Sequence, residues 1–137
     1  MGRILAIDFG LKRTGIAVTD SLQIIANGLD TVPTHTLLAY LQTYFTKERV
    51  VKVVIGMPKN LDNSDTDSTA GVRFFIKSFK KKFPEMPLEE HDERFTSKLA
   101  MQAMIAGGMS KKDRREKGTV DRVSATIILQ SYMESKA

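Results

Sequence analysis

Three acids occupy positions where chemistry on a phosphate could be built. Asp8 closes the apolar run Ile4-Leu5-Ala6-Ile7, Glu93 follows a short stretch at 87–91, and Asp121 stands near the start of the last helical segment. Gly10, the basic pair Lys12-Arg13 and Gly15 follow Asp8, and a second apolar run, Ile16-Ala17-Val18, comes after them. A strand that ends in an acid and doubles back over a glycine-bracketed, basic turn suits a metal or phosphate site with close backbone approach. Taken alone, it equally suits a hairpin with a surface aspartate. Strand ends on one side of a sheet converge, and three converging carboxylates would raise one another's pKa values. A hard divalent cation neutralises such a cluster, and all-oxygen ligation points to Mg²⁺ or Mn²⁺. Two ions about 4 Å apart can activate water and stabilise the departing oxygen of a phosphodiester. Singly, each acid has a plainer role: Glu93 could pair with Arg94, and Asp121 could be an ordinary first-turn acid favoured by the helix dipole.

The elements that must position these acids follow from hydrophobic periodicity. Residues 3–9 and 14–19 form an opening hairpin, and Ile24–Val32 supplies a third antiparallel strand ending at Pro33. Leu37, Leu38, Leu41, Tyr44 and Phe45 recur at helical spacing, with Thr34 or Thr36 as cap. Val50–Ile55 is a β-branched run interrupted only by Lys52 and bounded by Gly56-Met57-Pro58, which marks a central buried strand joined by a parallel crossover. The polar stretch 59–70 is a loop at the end of that strand, where ligands of open α/β sheets tend to bind. A helix from about Ala70 to Phe83 turns Val72, Phe75, Ile76 and Phe79 inward, and its last turn carries Lys80, Lys81 and Lys82 in keeping with the helix dipole. A strand at about 87–91 precedes a helix from Thr96 or Ser97 to Gly107-Gly108, with Met101 and Met104 as core filler. The basic connector at 111–117 follows, and a last helix from about Thr119 carries Val120, Val123, Ile127, Ile128 and Tyr132. The order gives an α/β domain spanning 1–137, with a mixed five-stranded sheet of three antiparallel strands and then parallel crossovers, flanked by helices.

Composition sets the context. The 137 residues include no cysteine and two histidines, which excludes disulfides and thiolate metal sites and makes a His-built zinc site a poor fit. No apolar stretch approaches the ~20 residues of a membrane span, and the start of the chain lacks signal-peptide architecture. A soluble, cytoplasmic protein is expected. Lys and Arg number 21 against 16 Asp and Glu, a net charge of +5 that is compatible with a nucleic-acid partner. The connector has no aromatic residue between its cations, so it is no base-stacking platform. Arg114 and Arg115 within it could grip a backbone beside Asp121, or be simply solvated. His35 and His91 are read as structural or incidental.

The motifs Asp8-x-Gly10-x-x-Arg13-x-Gly15-x-Ala17, Gly56-Met57-Pro58, Asp92-Glu93-Arg94-Phe95-Thr96 and Val120-Asp121, the last ahead of Ser124-Ala125 and Ile128-Leu129, closely resemble the YqgF family. These proteins are regarded as pre-16S rRNA nucleases, were long described as Holliday junction resolvase-like, and have an RNase H-like three-layer fold. The resemblance spans about residues 3–134. It implies that Asp8, Glu93 and Asp121 are the metal-binding catalytic acids. Arg13, Arg94 and the Gly56-Met57-Pro58 turn become substrate contacts, with Lys12 beside Arg13 on a phosphate. Two departures stand out. Lys59 and Asn63-Ser64-Asp65 replace the family's usual residues after the proline turn. Ser124 stands where resolvases proper carry a further acid one turn after the last catalytic aspartate.

The function expected is metal-dependent hydrolysis of structured RNA, at the 5′ end of pre-16S rRNA, by a monomer or homodimer holding two Mg²⁺ or Mn²⁺ ions. The alternatives are cleavage of four-way DNA junctions by a homodimer, or a nucleic-acid-binding module without chemistry. An actin-like ATPase would need a second domain that 137 residues do not provide.

Overall fold

The structure, a computed structural model, describes residues 2–57, 69–92 and 117–136. Five strands, β1 (Arg3–Asp8), β2 (Arg13–Thr19), β3 (Ala26–Pro33), β4 (Val50–Met57) and β5 (Leu88–Asp92), form one sheet in the order β3-β2-β1-β4-β5. The β1–β2 and β2–β3 pairs are antiparallel, whereas β1–β4 and β4–β5 are parallel. The mixed five-stranded sheet expected from the sequence is therefore present. The segments 58–68 and 93–116, which contain Pro58, Glu93, Arg94, Arg114, Arg115, Met101 and Met104, lie outside the described residues.

Both faces of the sheet are covered, which explains why its central strands read as unbroken apolar runs. Alternate residues serve opposite layers. On one face Leu5, Ile7, Ile16, Val53 and Ile55 pack beneath α1 (Leu37–Lys47) and α2 (Thr69–Lys82), which contribute Leu37, Leu41, Val72, Phe75, Ile76 and Phe79. On the other face Ile4, Ala6, Ala17 and Val54 meet Ala125, Ile128, Leu129 and Tyr132 of α3 (Lys117–Ser135). No helix among the described residues is long and apolar enough to cross a membrane.

Three local expectations need correction. Neither Thr34 nor Thr36 caps α1 through its side chain. A 3₁₀ turn at Thr34–Thr36 precedes the helix, the Thr36 hydroxyl donates back to the Pro33 carbonyl at 2.7 Å, and the Thr34 hydroxyl donates to Gly10 O at 2.6 Å. The buried stripe of α3 is Ala125, Ile128, Leu129 and Tyr132, and Val120, Val123 and Ile127 are only half-buried. Because α3 already begins at Lys117, Asp121 stands past its first turn. The helix dipole therefore acts on it less than on a first-turn acid, since that effect fades within a turn.

The face under α3 is lined by small residues in register. Ala6 pairs with Ala17, Ala17 with Gly28, and Asp8 with Gly15. A Cβ added at Gly28 would lie 3.4 Å from Arg122 Cβ and from Thr126 Oγ1, and one added at Gly15 would fall on the carbonyl oxygen of Asp121. The helix backbone thus rests directly on β2. A Gly15→Ala substitution must push α3 off the sheet, because the obstructing atom is backbone. The expected cost is about 1–3 kcal/mol in urea denaturation, whereas Gly28→Ala, at ordinary contact distance, should cost under about 1 kcal/mol.

Candidate metal and phosphate site

Strand parity aims Asp8 at the α3 side. Leu5 and Ile7 serve the α1–α2 layer, Ile4 and Ala6 serve the α3 layer, and Asp8 continues the second series. Asp121 stands four residues before Ala125 and extends the buried stripe of α3 toward the same strand end. The contact at Gly15, the residue paired with Asp8, closes the gap between them.

The two carboxylates meet different fates. Arg13 Nε donates to Asp121 Oδ2 at 3.0 Å, an ion pair bridging 108 positions of sequence. Asp8 has no ion pair among the described residues. Burial, and then the nearby charge of Asp121, push its pKa from 3.8 up to about 7. At neutral pH Asp8 is thus divided between a protonated carboxyl and an anion without an ion-pair partner among the described residues. An all-oxygen pair with one uncompensated member, set at a strand end, fits a hard divalent cation. Among the described residues no group of three or more Asp, Glu, His or Cys converges, and Glu93 lies outside them.

The turn that carries the basic residues is firmly held. A Cβ on Gly10 would strike the Arg13 carbonyl oxygen, so only glycine fits there. Thr34, just past β3, clamps the turn three ways: its hydroxyl donates to Gly10 O, it shares a 2.9 Å hydrogen bond with the buried Thr14 hydroxyl, and its N–H donates to Lys12 O at 3.0 Å. Lys12 is left exposed on this turn. Gly56 is buried in β4 one residue beyond the Ile7–Ile55 pair, and so stands beside Asp8 on the neighbouring strand.

Sequence reasoning did not reveal the Arg13–Asp121 pair or the Thr34 clamp. The alternation of small residues Ala6, Gly15, Ala17 and Gly28 was the available sign that a helix would lie close enough to form the pair. His91 is structural, as expected: its Nε2 lies 2.9 Å from Ser131 Oγ and its ring meets Tyr132 edge-on. Beside it the Tyr132 hydroxyl donates to Glu89 Oε2 at 2.8 Å and accepts from Lys52 Nζ at 2.9 Å, pinning α3 to β4 and β5.

The raised pKa of Asp8 couples the site to stability. The folded state holds a proton between pH 4 and 7 that the unfolded chain has lost, so stability is full below about pH 4 and falls as pH rises through about 7. In chelator-containing buffer the wild type should lose up to about 1.4 kcal/mol per pH unit relative to Asp8→Asn across this window. Denaturation curves of both proteins from pH 4.5 to 8 check this, and parallel pH profiles would contradict it.

The family model described as "RuvX: Holliday junction resolvase" matches residues 2–135. The chain is 57% identical over 136 residues to a protein of Phocaeicola vulgatus, covering 99% of this chain and 98% of that one, and 55% identical to a protein of Bacteroides thetaiotaomicron, covering 99% of each. Both relatives bear the name "Putative pre-16S rRNA nuclease". Among solved structures, Thermus thermophilus RuvC in complex with a Holliday junction substrate superposes with a TM-score of 0.59 at 16% identity, covering 97% of this chain and 96% of that one. That likeness establishes the RNase H-like fold of the sheet and its flanking helices. From the full-length family match and identities above one half, the chain belongs to the RuvX (YqgF) family.

Proposed function

We propose that this protein is a metal-dependent nuclease that hydrolyses phosphodiester bonds in structured RNA and acts in the cytoplasm on the 5′ end of pre-16S rRNA. The observation that carries the reading is the buried Asp8, without an ion-pair partner among the described residues, beside Asp121 at a strand end. The names borne by its relatives support nuclease action on ribosomal RNA.

Asp8 and Asp121, with Glu93 as third acid, would hold one or two Mg²⁺ or Mn²⁺ ions. Bound there, the ions would supply Lewis-acid polarisation of the phosphate and activation of water at neutral pH. The rest falls to the chain itself. Asp8 must be ionised to act as a ligand, so a cation competes there with a proton, and metal binding strengthens as pH rises through about 7. Arg13 orients Asp121 and presents its guanidinium where a phosphate would arrive, with Lys12 as a second, exposed cation. Gly56 leaves room beside Asp8, and Pro58, Arg94, Arg114 and Arg115 complete the substrate contacts. In hydrolysis a water oxygen bonds to phosphorus, the bridging P–O bond breaks, and the departing oxygen takes up a proton.

The resolvase description of the family favours one second reading, cleavage of four-way DNA by a homodimer. Ser124 in place of a further acid counts against it. Incubating the wild type and Asp8→Asn with precursor rRNA and with a four-way DNA junction, with Mn²⁺ or with chelator, separates the two. The expected result is Mn²⁺-dependent RNA cleavage that falls at least ~100-fold in Asp8→Asn, about 2.7 kcal/mol of barrier, with RNA binding retained. Symmetric junction cleavage with intact RNA would instead establish the resolvase reading. Turnover unchanged in Asp8→Asn would remove both.

A further inference from the structure

Phe74 belongs to none of the inward positions of α2. Val72, Phe75, Ile76 and Phe79 fill the core, and Phe74 is left 74% exposed. A single exposed apolar residue is ordinary; the surroundings of this one are not. Phe74 walls a cleft of about 190 Å³ between the start of α1 and α2, lined also by Phe9, His35, Leu38, Phe75 and Ser78. Phe9 directly follows Asp8, and its ring packs on Phe75 with centroids 5.4 Å apart. Leu11, from the same turn, is 67% exposed, and its Cδ2 lies 2.9 Å from where a Cβ on Gly71 of α2 would stand. Apolar groups from the turn beside Asp8 therefore lie against α2, the helix that carries Phe74.

Resting on the nucleic-acid reading above, we propose that this cleft is a stacking pocket for one unpaired base of the strand whose backbone crosses the Asp8–Asp121 pair. Its volume is below the ~300–1,000 Å³ of a drug-sized pocket, which suits a single ring system. Asp8 faces the α3 layer while Phe9 packs into the α1–α2 layer. A strand laid over the sheet end would thus place its phosphate at the acids and turn its base toward Phe9 and Phe74. Exposed cations flank this path, Lys12 on the turn and Lys77 one turn along α2 from Phe74. Aromatic faces bordered by cations bind single strands with little sequence preference, and His35 and Ser78 add polar groups at a base edge. A paired base inside a duplex cannot present its face to the ring, so the pocket selects unpaired nucleotides.

Binding measured without cleavage tests this. Labelled single-stranded RNA and a blunt-ended RNA duplex of equal length are titrated, in chelator and low salt, with the wild type, Phe74→Ala and Phe74→Trp. Phe74→Ala should weaken single-strand binding ~5- to 20-fold and duplex binding under about 2-fold. Phe74→Trp should bind as the wild type does, and its fluorescence, unique in a chain without tryptophan, should be quenched by the single strand. Unchanged single-strand binding by Phe74→Ala, an equal loss on both RNAs, or an altered oligomeric state in sedimentation would overturn the pocket and leave the nuclease reading standing. A wild type that binds neither RNA would overturn both. Loss of cleavage has no bearing on these binding readouts.

Discussion

The site depends on how closely α3 can lie on the sheet. Ala6, Gly15, Ala17 and Gly28 form a strip without bulky side chains, and the helix settles until its backbone touches β2. At the inner end of that contact the buried stripe Ala125, Ile128, Leu129 and Tyr132 gives way to Asp121. The same packing that buries α3 thereby carries a carboxylate to the end of β1, where Asp8 stands. At the far end of the helix, Tyr132 bonded to Glu89 and Lys52 fixes its position over β4 and β5.

Bringing two carboxylates together in a partly dry place works against folding, and the described residues relieve only half of the conflict. Arg13 compensates Asp121, and Asp8 is left to protonate near neutral pH. The arrangement is asymmetric in a useful way. Arg13 pairs with one acid and orients it, while the other stays available for a proton or a cation. Local unfavourable electrostatics maintained by a rigid surround is the pattern expected where function opposes stability. The surround here is rigid because Thr34, just past β3, locks the basic turn and Gly10 permits its tight path.

Much of this was legible in the sequence because burial on both faces leaves a strong pattern. The β-branched run at 50–55, the Leu37–Leu41 spacing and the inward face of α2 each appear in the structure as read. The last helix was harder. Its true stripe begins with Asp121 and Ala125, an acid and a methyl group, so the larger Val120, Val123 and Ile127 dominated the apparent periodicity. Thr34 resembled a helix cap because caps and turn clamps use the same hydroxyl chemistry, and only the fold reveals which carbonyl is in reach. The Arg13–Asp121 pair joins residues 108 positions apart and leaves no local signature. Phe74 was passed over because it breaks the inward pattern of α2, which is also what makes it available.

In the proposed function, α3 delivers Asp121 to a buried Asp8 and so creates a carboxylate that a hard cation would satisfy. Carbon-13 NMR titration of the Asp8 side-chain carboxyl, in chelator and then in saturating Mg²⁺, measures this directly. The expected result is a midpoint near 7 without metal and a displacement well toward acid when Mg²⁺ is present. An ordinary midpoint near 4 that does not respond to Mg²⁺ would contradict it.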